Sequence, residues 1–293
     1  MALLIYCVFY PLIWLLSRLP FPLLYILSDG ISFFLYHVVR YRRRVVHHNI
    51  LICFPHKTNR ERACIERAFY HHLSDLFLEM IKTMGMSNQE MEKRFQFTNL
   101  DLLYQLEKEG KSIAILCAHY GSYEWLISMN RHVHFQGFAI YKKIANPYFD
   151  TMVKRIRSKF GATLITTKET TKTIEANTQN GVLGMYGFAS DQSPKLSRAE
   201  HWHSFMGIET PIHIGAEVLA KRFDMNVIFL KVKKVKRGHY KATFESLSDN
   251  PKAEPDFAIS DRFMDKVALQ IQEAPEYYFW VHKRWKHQKS ATT

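Results

Sequence analysis

From Ala2 to Val39 the chain carries only two formal charges, Arg18 and Asp29, and the run from Ala2 to Leu16 is apolar apart from its aromatic hydroxyls. A segment like this has to be buried in protein or in lipid. A membrane-crossing helix needs about 20 apolar residues, so the run is marginal for a span. Pro11, Pro20 and Pro22 predict a bent or interrupted element. Both a spanning and an embedded segment fit the pattern. The Met-Ala-Leu-Leu-Ile start has no basic leader and no small-residue cleavage site nearby, so the segment is expected to stay attached. Arg40, Arg42, Arg43 and Arg44 follow it directly and, by the positive-inside tendency, put the rest of the chain on the cytoplasmic side. The expected organisation is a membrane anchor over residues 1–40 and one domain over 41–293. The alternative is a buried hydrophobic hairpin of a soluble protein.

Apolar residues at 47% and aromatics at 14% of the chain exclude a disordered protein. Lysine and arginine exceed aspartate and glutamate by 40 − 27 = 13, a surface that attracts anions: phospholipid head groups, an acidic carrier protein or nucleic acid. The membrane-grade segment argues against nucleic acid. Cys7, Cys53, Cys64 and Cys117 show no disulfide or zinc spacing, which points to a reducing compartment.

Thr58 and Glu61 have capping-box spacing, and Ile65, Phe69, Leu73, Leu76, Met80 and Met84 then mark one helical stripe that ends near Gly85 and reads as core. Ser87 and Glu90 start a short helix, and another covers 100–109. The apolar run Ile113 to Ala118 reads as a buried strand. Further strands are expected over 137–141, 163–166, 182–186, 227–232 and 240–245, with helices around 122–132, 147–159, 211–223 and 259–272. Alternation of this kind implies an α/β fold with a mostly parallel sheet flanked by helices. The short link Lys233 to His239 makes the last two strands an antiparallel hairpin, so the sheet is mixed.

After the first buried strand comes His119-Tyr-Gly-Ser-Tyr-Glu124-Trp. Five residues of continuous helix would turn the chain by about 500°, so His119 belongs in the loop and Glu124 in the first helical turn, with Ser122 as N-cap. A carboxylate accepting from Nδ1–H, here expected to be Glu124, would fix the imidazole tautomer. Nε2 is then free to take a proton from an attacking hydroxyl. That is the base half of an acyl-transfer site, and a thioester substrate needs no enzyme nucleophile. Cys117, the rival nucleophile, sits inside an apolar strand and reads as an inert thiol. The strand's C-terminal end is where open α/β sheets carry their sites.

At these residues the chain resembles the late acyltransferases of lipid A biosynthesis, a branch of the lysophospholipid and glycerol-phosphate acyltransferase group. The likeness extends to the apolar N-terminal segment, Tyr141-Lys-Lys-Ile-Ala-Asn146-Pro147 with Arg157 downstream, Asp191-Gln192, Phe205-Met-Gly207 and the tail Pro275-Glu-Tyr-Tyr-Phe-Trp280-Val-His282-Lys-Arg284-Trp-Lys. It implies a glycerol-phosphate acyltransferase-like fold and a bacterial inner-membrane enzyme with no cofactor and no catalytic metal. Such an enzyme takes an acyl chain from acyl carrier protein and esterifies a glycolipid hydroxyl at an anionic membrane. It also implies a catalytic set of His119 as base, Glu124 as its support, Arg157 and Asp191. Tyr120, Gly121, Asn146, Gln192 and Gly207 would bind substrate. Arg155 competes with Arg157 for the arginine role. The Phe-Pro-Glu-Gly block of the glycerol-phosphate branch is missing, with Ser190-Asp191-Gln192-Ser193 in its place, which favours the lipid A branch. Lys283-Arg284-Trp285 and a polar stretch before Phe205 depart from that branch and leave another lipid alcohol or amine open as acceptor. A non-catalytic membrane scaffold is the reading from a different class.

By position alone, Asp191 follows an apolar run and reaches the same sheet edge as His119. Arg157 reads either as a contact to Glu124 or phosphate, or as one more charge on a solvated helix face. His201, His203 and His213 would suit zinc only with a carboxylate such as Asp191 close by, and they lack thiolates or a His-x-x-x-His pair. Lys231, Lys233, Lys234, Lys236 and Arg237 are expected as a solvated hairpin tip.

Overall fold

The computed structural model describes residues 2–289. Helices α1 (Ala2–Arg18), α2 (Phe21–Phe33, continued by a π-turn over Phe34–Val38) and α3 (Arg43–Cys53) precede the long α4 (Asn59–Lys82). The expected interruption falls at Leu19–Pro20. Pro22 sits in the first turn of α2, where no intrahelical N–H is lost, whereas Pro11 is accommodated within α1. Thr58 and Glu61 form the capping box that starts α4. The Thr58 backbone N–H donates to Glu61 at 2.7 Å and the Glu61 N–H returns to Thr58 Oγ1 at 3.3 Å.

Next come α5 (Asn88–Arg94), β1 (Phe95–Thr98), α6 (Leu100–Lys108), β2 (Ile113–Cys117), a 3₁₀ helix (Tyr123–Arg131), β3 (Gln136–Tyr141), α7 (Pro147–Arg157), β4 (Thr163–Thr166), α8 (Thr170–Gln179) and β5 (Gly184–Ala189). The chain continues through β6 (Trp202–Phe205), β7 (Ile208–Pro211), α9 (Gly215–Phe223), β8 (Asn226–Lys236), β9 (His239–Ser248) and α10 (Ala258–Glu273). Seven strands form one sheet in the order β1-β9-β8-β2-β5-β3-β4, parallel throughout except for the β8–β9 hairpin. The fold is therefore the mixed, mostly parallel α/β sheet flanked by helices that the alternation implies.

β2 lies between β8 and β5, and Ile113, Ala114, Ile115 and Leu116 are all buried. Successive side chains point to opposite faces, so both faces of the sheet are covered here. This explains why the strand reads as an unbroken apolar run.

Several elements differ from the sequence expectation. The helix expected over 211–223 starts only at Gly215, because Ile208–Pro211 pairs with Trp202–Phe205 as a separate hairpin. Gly207 is in the turn of that hairpin with Met206, both at positive φ, 78° and 56° respectively. A two-residue turn whose twist matches its strands requires this. The strand expected over 182–186 is shifted to Gly184–Ala189, leaving Val182 exposed. The basic hairpin is a solvated tip only in part: Lys233 and Lys236 are exposed, and the other three basic groups are paired. Lys234 and Arg237 pair with Asp75, itself fully buried on α4, at 3.4 and 2.7 Å, and Lys231 pairs with Glu273 at 2.8 Å. Buried Asp75 cannot stay charged without partners, so the hairpin is drawn down onto α4.

Leu116→Ala, which leaves a cavity at the centre of β2, is expected to lower stability by about 2–5 kcal/mol. Denaturant unfolding against the wild type measures it.

Candidate active site

Position follows from strand register. Cys117 of β2 pairs with Ala189 of β5 in parallel. His119 and Asp191 each lie two residues beyond that pair, so they emerge together at the sheet's C-terminal edge. The ring Nδ1 of His119 lies 2.7 Å from Asp191 Oδ1, and the His119 backbone N–H donates to the same oxygen at 3.1 Å. Asp191 is 1% exposed, whereas the His119 side chain remains 19% open. With Nδ1 committed to a buried carboxylate, Nε2 is the nitrogen left to exchange protons with a substrate.

Glu124 does not orient His119. It opens the 3₁₀ helix, buried, and is gripped by both arms of Arg157, with Nε donating to Oε2 at 2.8 Å and Nη2 to Oε1 at 2.5 Å. Arg157 ends α7, so this ion pair joins the segment after β2 to the segment after β3. Of the two arginines, Arg157 makes this contact, and Arg155 is exposed. Ser122 occupies the N-cap position, but its hydroxyl makes no capping bond.

Burial works against a charged His119, yet the Asp191 charge and hydrogen bond, with Glu124 adding, outweigh it and hold the imidazole pKa above its ordinary 6.5. Burial likewise raises the Asp191 carboxyl, and the His119 interaction more than reverses this, so its pKa is depressed. Burial and the Asp191 charge push the Cys117 thiol up to about 12, which works against a thiolate there.

The expected substrate-binding residues separate into two groups. Gln192 is half-buried beside Asp191, and the buried Gly121 accompanies His119 in its loop. Gly121 has φ +56°, and a Cβ there would meet Val232 Cγ1 at 2.9 Å, so it serves the loop's backbone. Tyr120 is buried, its hydroxyl donating to Ala274 O at 2.8 Å. Asn146 caps α7 by accepting from the Tyr148 N–H at 3.0 Å, and it donates to Ala2 O at 3.2 Å, an N-cap role its residue type favours. Gly207 is exposed in its hairpin turn. The last three have structural work that explains them without a ligand. His201 and His203 have other carboxylate partners than Asp191, and no group of three or more metal-ligating side chains is found among the described residues. The two histidines pair with Asp261 and Asp265 of α10 at 2.8 Å each.

Spacing in the sequence assigns no role to the tail, which backs the histidine. Phe279 N–H donates to His119 O at 3.1 Å, Gly121 N–H to Tyr277 O at 2.9 Å, and Tyr120 bridges Tyr278. The rings of Tyr123 and Phe279 stand 4.9 and 6.0 Å from the imidazole. His282 Nε2 accepts from the Ser193 N–H at 3.3 Å, and burial, only partly offset by Asp191, pushes its pKa down to about 4. It stays neutral there. The guanidinium of the fully buried Arg284 lies 5.0 Å above the Phe205 ring, where the ring's negative face attracts the cation. Apart from the family likeness of the tail, the signal of these roles in the sequence is the aromatic density from Tyr277 to Trp285.

The profile described as Bacterial lipid A biosynthesis acyltransferase matches residues 3–287. The chain belongs to this family of acyltransferases. It is 24% identical over 280 residues to a lipid A biosynthesis acyltransferase of Haemophilus influenzae, covering 91% of this chain and 83% of that one. It is 21% identical over 276 residues to the lipid A biosynthesis lauroyltransferase of Escherichia coli, covering 94% and 89%. With the palmitoleoyltransferase of E. coli it shares 22% over 286 residues, covering 94% and 88%.

For this acyltransferase, a base must be neutral to accept a proton, so kcat/KM is expected to rise with pH through a midpoint above 6.5. Asp191→Asn removes the main influence that raises the His119 pKa. That limb should move to lower pH while the rate falls by about 10²–10⁴-fold; pH–rate profiles of both forms check this. Glu124→Gln leaves the half-buried Arg157 cation without its counter-charge and is expected to cost about 1–3 kcal/mol of stability, less than a fully buried pair would. Thermal unfolding, compared with the double variant Glu124→Gln/Arg157→Met, measures it.

Proposed function

We propose that the chain is a membrane-associated O-acyltransferase that moves a fatty acyl group from acyl carrier protein to a hydroxyl of a lipid A precursor, on the cytoplasmic face of a bacterial inner membrane. One observation carries this reading: an imidazole paired through Nδ1 at 2.7 Å with a buried carboxylate, at the C-terminal edge of the sheet, in a chain of this family. The names of its relatives, which include lauroyl and palmitoleoyl transferases, support a lipid A acceptor and a fatty acyl donor. The excess of 13 basic residues suits both an acidic carrier and anionic head groups.

His119 Nε2 takes the proton of the acceptor hydroxyl as its oxygen attacks the thioester carbonyl carbon. Asp191 holds the tautomer and balances the imidazolium that forms. The tetrahedral adduct collapses by breaking the C–S bond, and the departing thiolate recovers the proton from His119. The products are an ester and a free thiol, with no covalent enzyme intermediate. Arg157 is fixed by Glu124 and its side chain is 24% open. It supplies positive charge for the carbonyl oxygen or an acceptor phosphate. Gln192, half-buried beside Asp191, is a further polar group at this edge.

His119→Ala is expected to reduce acyl transfer by at least about 10²–10⁴-fold, with circular dichroism and membrane retention unchanged. Full activity in that variant removes the mechanism. Mass spectrometry of lipids from a deletion strain should show lipid A lacking one acyl chain; a phospholipid or aminolipid losing the chain instead reassigns the acceptor.

A further inference from the structure

The N-terminal helices bury the wrong residues for a surface that faces water. α1 hides Ser17, 1% exposed, and leaves Leu4 and Val8 at 69% and 65%. α2 and its π-turn cover Ser28 and Ser32 along with Phe21, Leu24 and Tyr36, while Ile26 and Phe33 stand 68% and 62% open. The polar groups turn inward because α4 and the β8–β9 hairpin offer charged partners there. Ser28 Oγ donates to Asp75 at 2.7 Å, Tyr25 OH to Glu79 at 3.0 Å, and Arg237 binds Asp29 at 2.6 Å. An element with its serines inward and its leucines outward is favourable only where the surroundings are apolar.

Both helices are also tied to the domain along their length. At the start of α1, Asn146 donates to Ala2 O, and the Tyr6 ring rests 5.6 Å from those of Tyr148 and Phe149. At its end, Lys82 Nζ donates to Ser17 O at 3.0 Å and Leu19 O at 2.7 Å. Gly85 permits this approach, because a Cβ there would collide with Ser17 O. α2 is held at Tyr25, Ser28 and Asp29, and beyond it the Tyr36 ring packs 5.3 Å from Tyr70 of α4. Phe21–Val38 is long and apolar enough to cross a membrane. A crossing helix, however, carries one end about 30 Å away across the hydrocarbon, whereas here both ends of each helix are fastened to the same domain.

We infer that α1 and α2 enter one leaflet of an anionic phospholipid bilayer side-on, neither crossing it, and hold the catalytic edge against the head groups of that leaflet. Arg18, Arg40 and Arg44 are exposed at the ends of the apolar elements, where they meet anionic head groups. Trp14, with the Arg18 guanidinium 5.2 Å from its ring, is the residue type that favours the interface. The inference deepens the proposed function and rests on it for one choice only, lipid over a second copy of the chain as the occupant.

The test uses the full chain carrying Cys7→Ser and Cys64→Ser, to remove its exposed thiols, with single cysteines at Leu19, Arg40, Ile26 or Lys252. Each protein is bound to sealed vesicles of phosphatidylethanolamine and phosphatidylglycerol and treated with a membrane-impermeant maleimide, before and after permeabilisation. Leu19→Cys and Arg40→Cys should label in step with Lys252→Cys, which reports the side of the catalytic domain. Ile26→Cys should be protected until detergent removes the lipid. Labelling of Leu19→Cys or Arg40→Cys only from the side opposite Lys252→Cys overturns the inference in favour of a span. Equal labelling of Ile26→Cys and Lys252→Cys on vesicles, or a lipid-free dimer that protects Ile26→Cys, overturns it in favour of a non-lipid cover. The pattern is read without turnover: an inactive protein with the expected labelling counts against the acyl-transfer chemistry alone, and an active one with the opposite labelling counts against the leaflet geometry alone.

Discussion

The pairing of Cys117 with Ala189 sends two parallel strands off the sheet in step, and the next side chains to meet are those of His119 and Asp191. Much else depends on that contact. A carboxylate buried to 1% exposure is costly without donors, and both the ring and the backbone N–H of His119 serve its Oδ1, while its Oδ2 has no hydrogen-bond partner among the described residues. The loop after β2 must therefore bend back toward β5. The tail then closes behind it through Phe279, Tyr277 and Tyr278. With Nδ1 already paired to Asp191, Glu124 is free to serve Arg157, and the site contains two carboxylate contacts where a single linear motif suggests one.

The fold is largely readable in the sequence wherever burial leaves a periodic mark. β2 is covered on both faces and so appears as a solid apolar run, and the capping box of α4 is spelled in its residue types. The hairpin β6–β7 is not readable. Its strands are four residues each and include His203, Ser204 and Glu209, so they show neither a long apolar run nor clean alternation. β1, also four residues long, and the polar α8 are hidden for the same reason. In the site, His119 and Asp191 can be placed at one edge from the sequence, yet spacing suggests the nearest carboxylate in the chain, five residues on, as the partner. The true partner is 72 residues away, because strand order, which no local spacing encodes, makes β5 the neighbour of β2.

α4 shows how an amphipathic pattern can mislead. Its apolar stripe faces the core as expected, with Phe69 and Leu73 fully covered, but its polar side is also buried: Glu66, His72, Asp75, Glu79 and Lys82 all lie out of water. The charges on that side are answered by Arg43, Lys234, Arg237 and the hydroxyls of Tyr25 and Tyr240. A basic run on the hairpin tip and an almost uncharged N-terminal segment look unrelated in the sequence. In the fold they meet on one helix, which converts a costly set of buried acids into the attachment between the N-terminal layer and the sheet.

That attachment bears on chemistry because both halves of the Glu124–Arg157 pair are carried by elements that touch the same layer. Glu124 is followed by Trp125, whose indole N–H donates to Thr83 Oγ1 at 2.9 Å and to Glu79 O at 3.3 Å at the end of α4, beside the point where Lys82 holds α1. Arg157 closes α7, whose first turn packs Tyr148 and Phe149 against Tyr6 of α1. Through two rigid helices, then, the height of the ion pair above the exposed apolar face is set by packing and not by a flexible linker. On the proposed reading, in which the exposed apolar face lies in lipid and Arg157 meets the substrate, such stiffness helps: reacting atoms must come within about 3–3.5 Å of one another, and a fixed offset between that face and Arg157 removes one degree of freedom from that search.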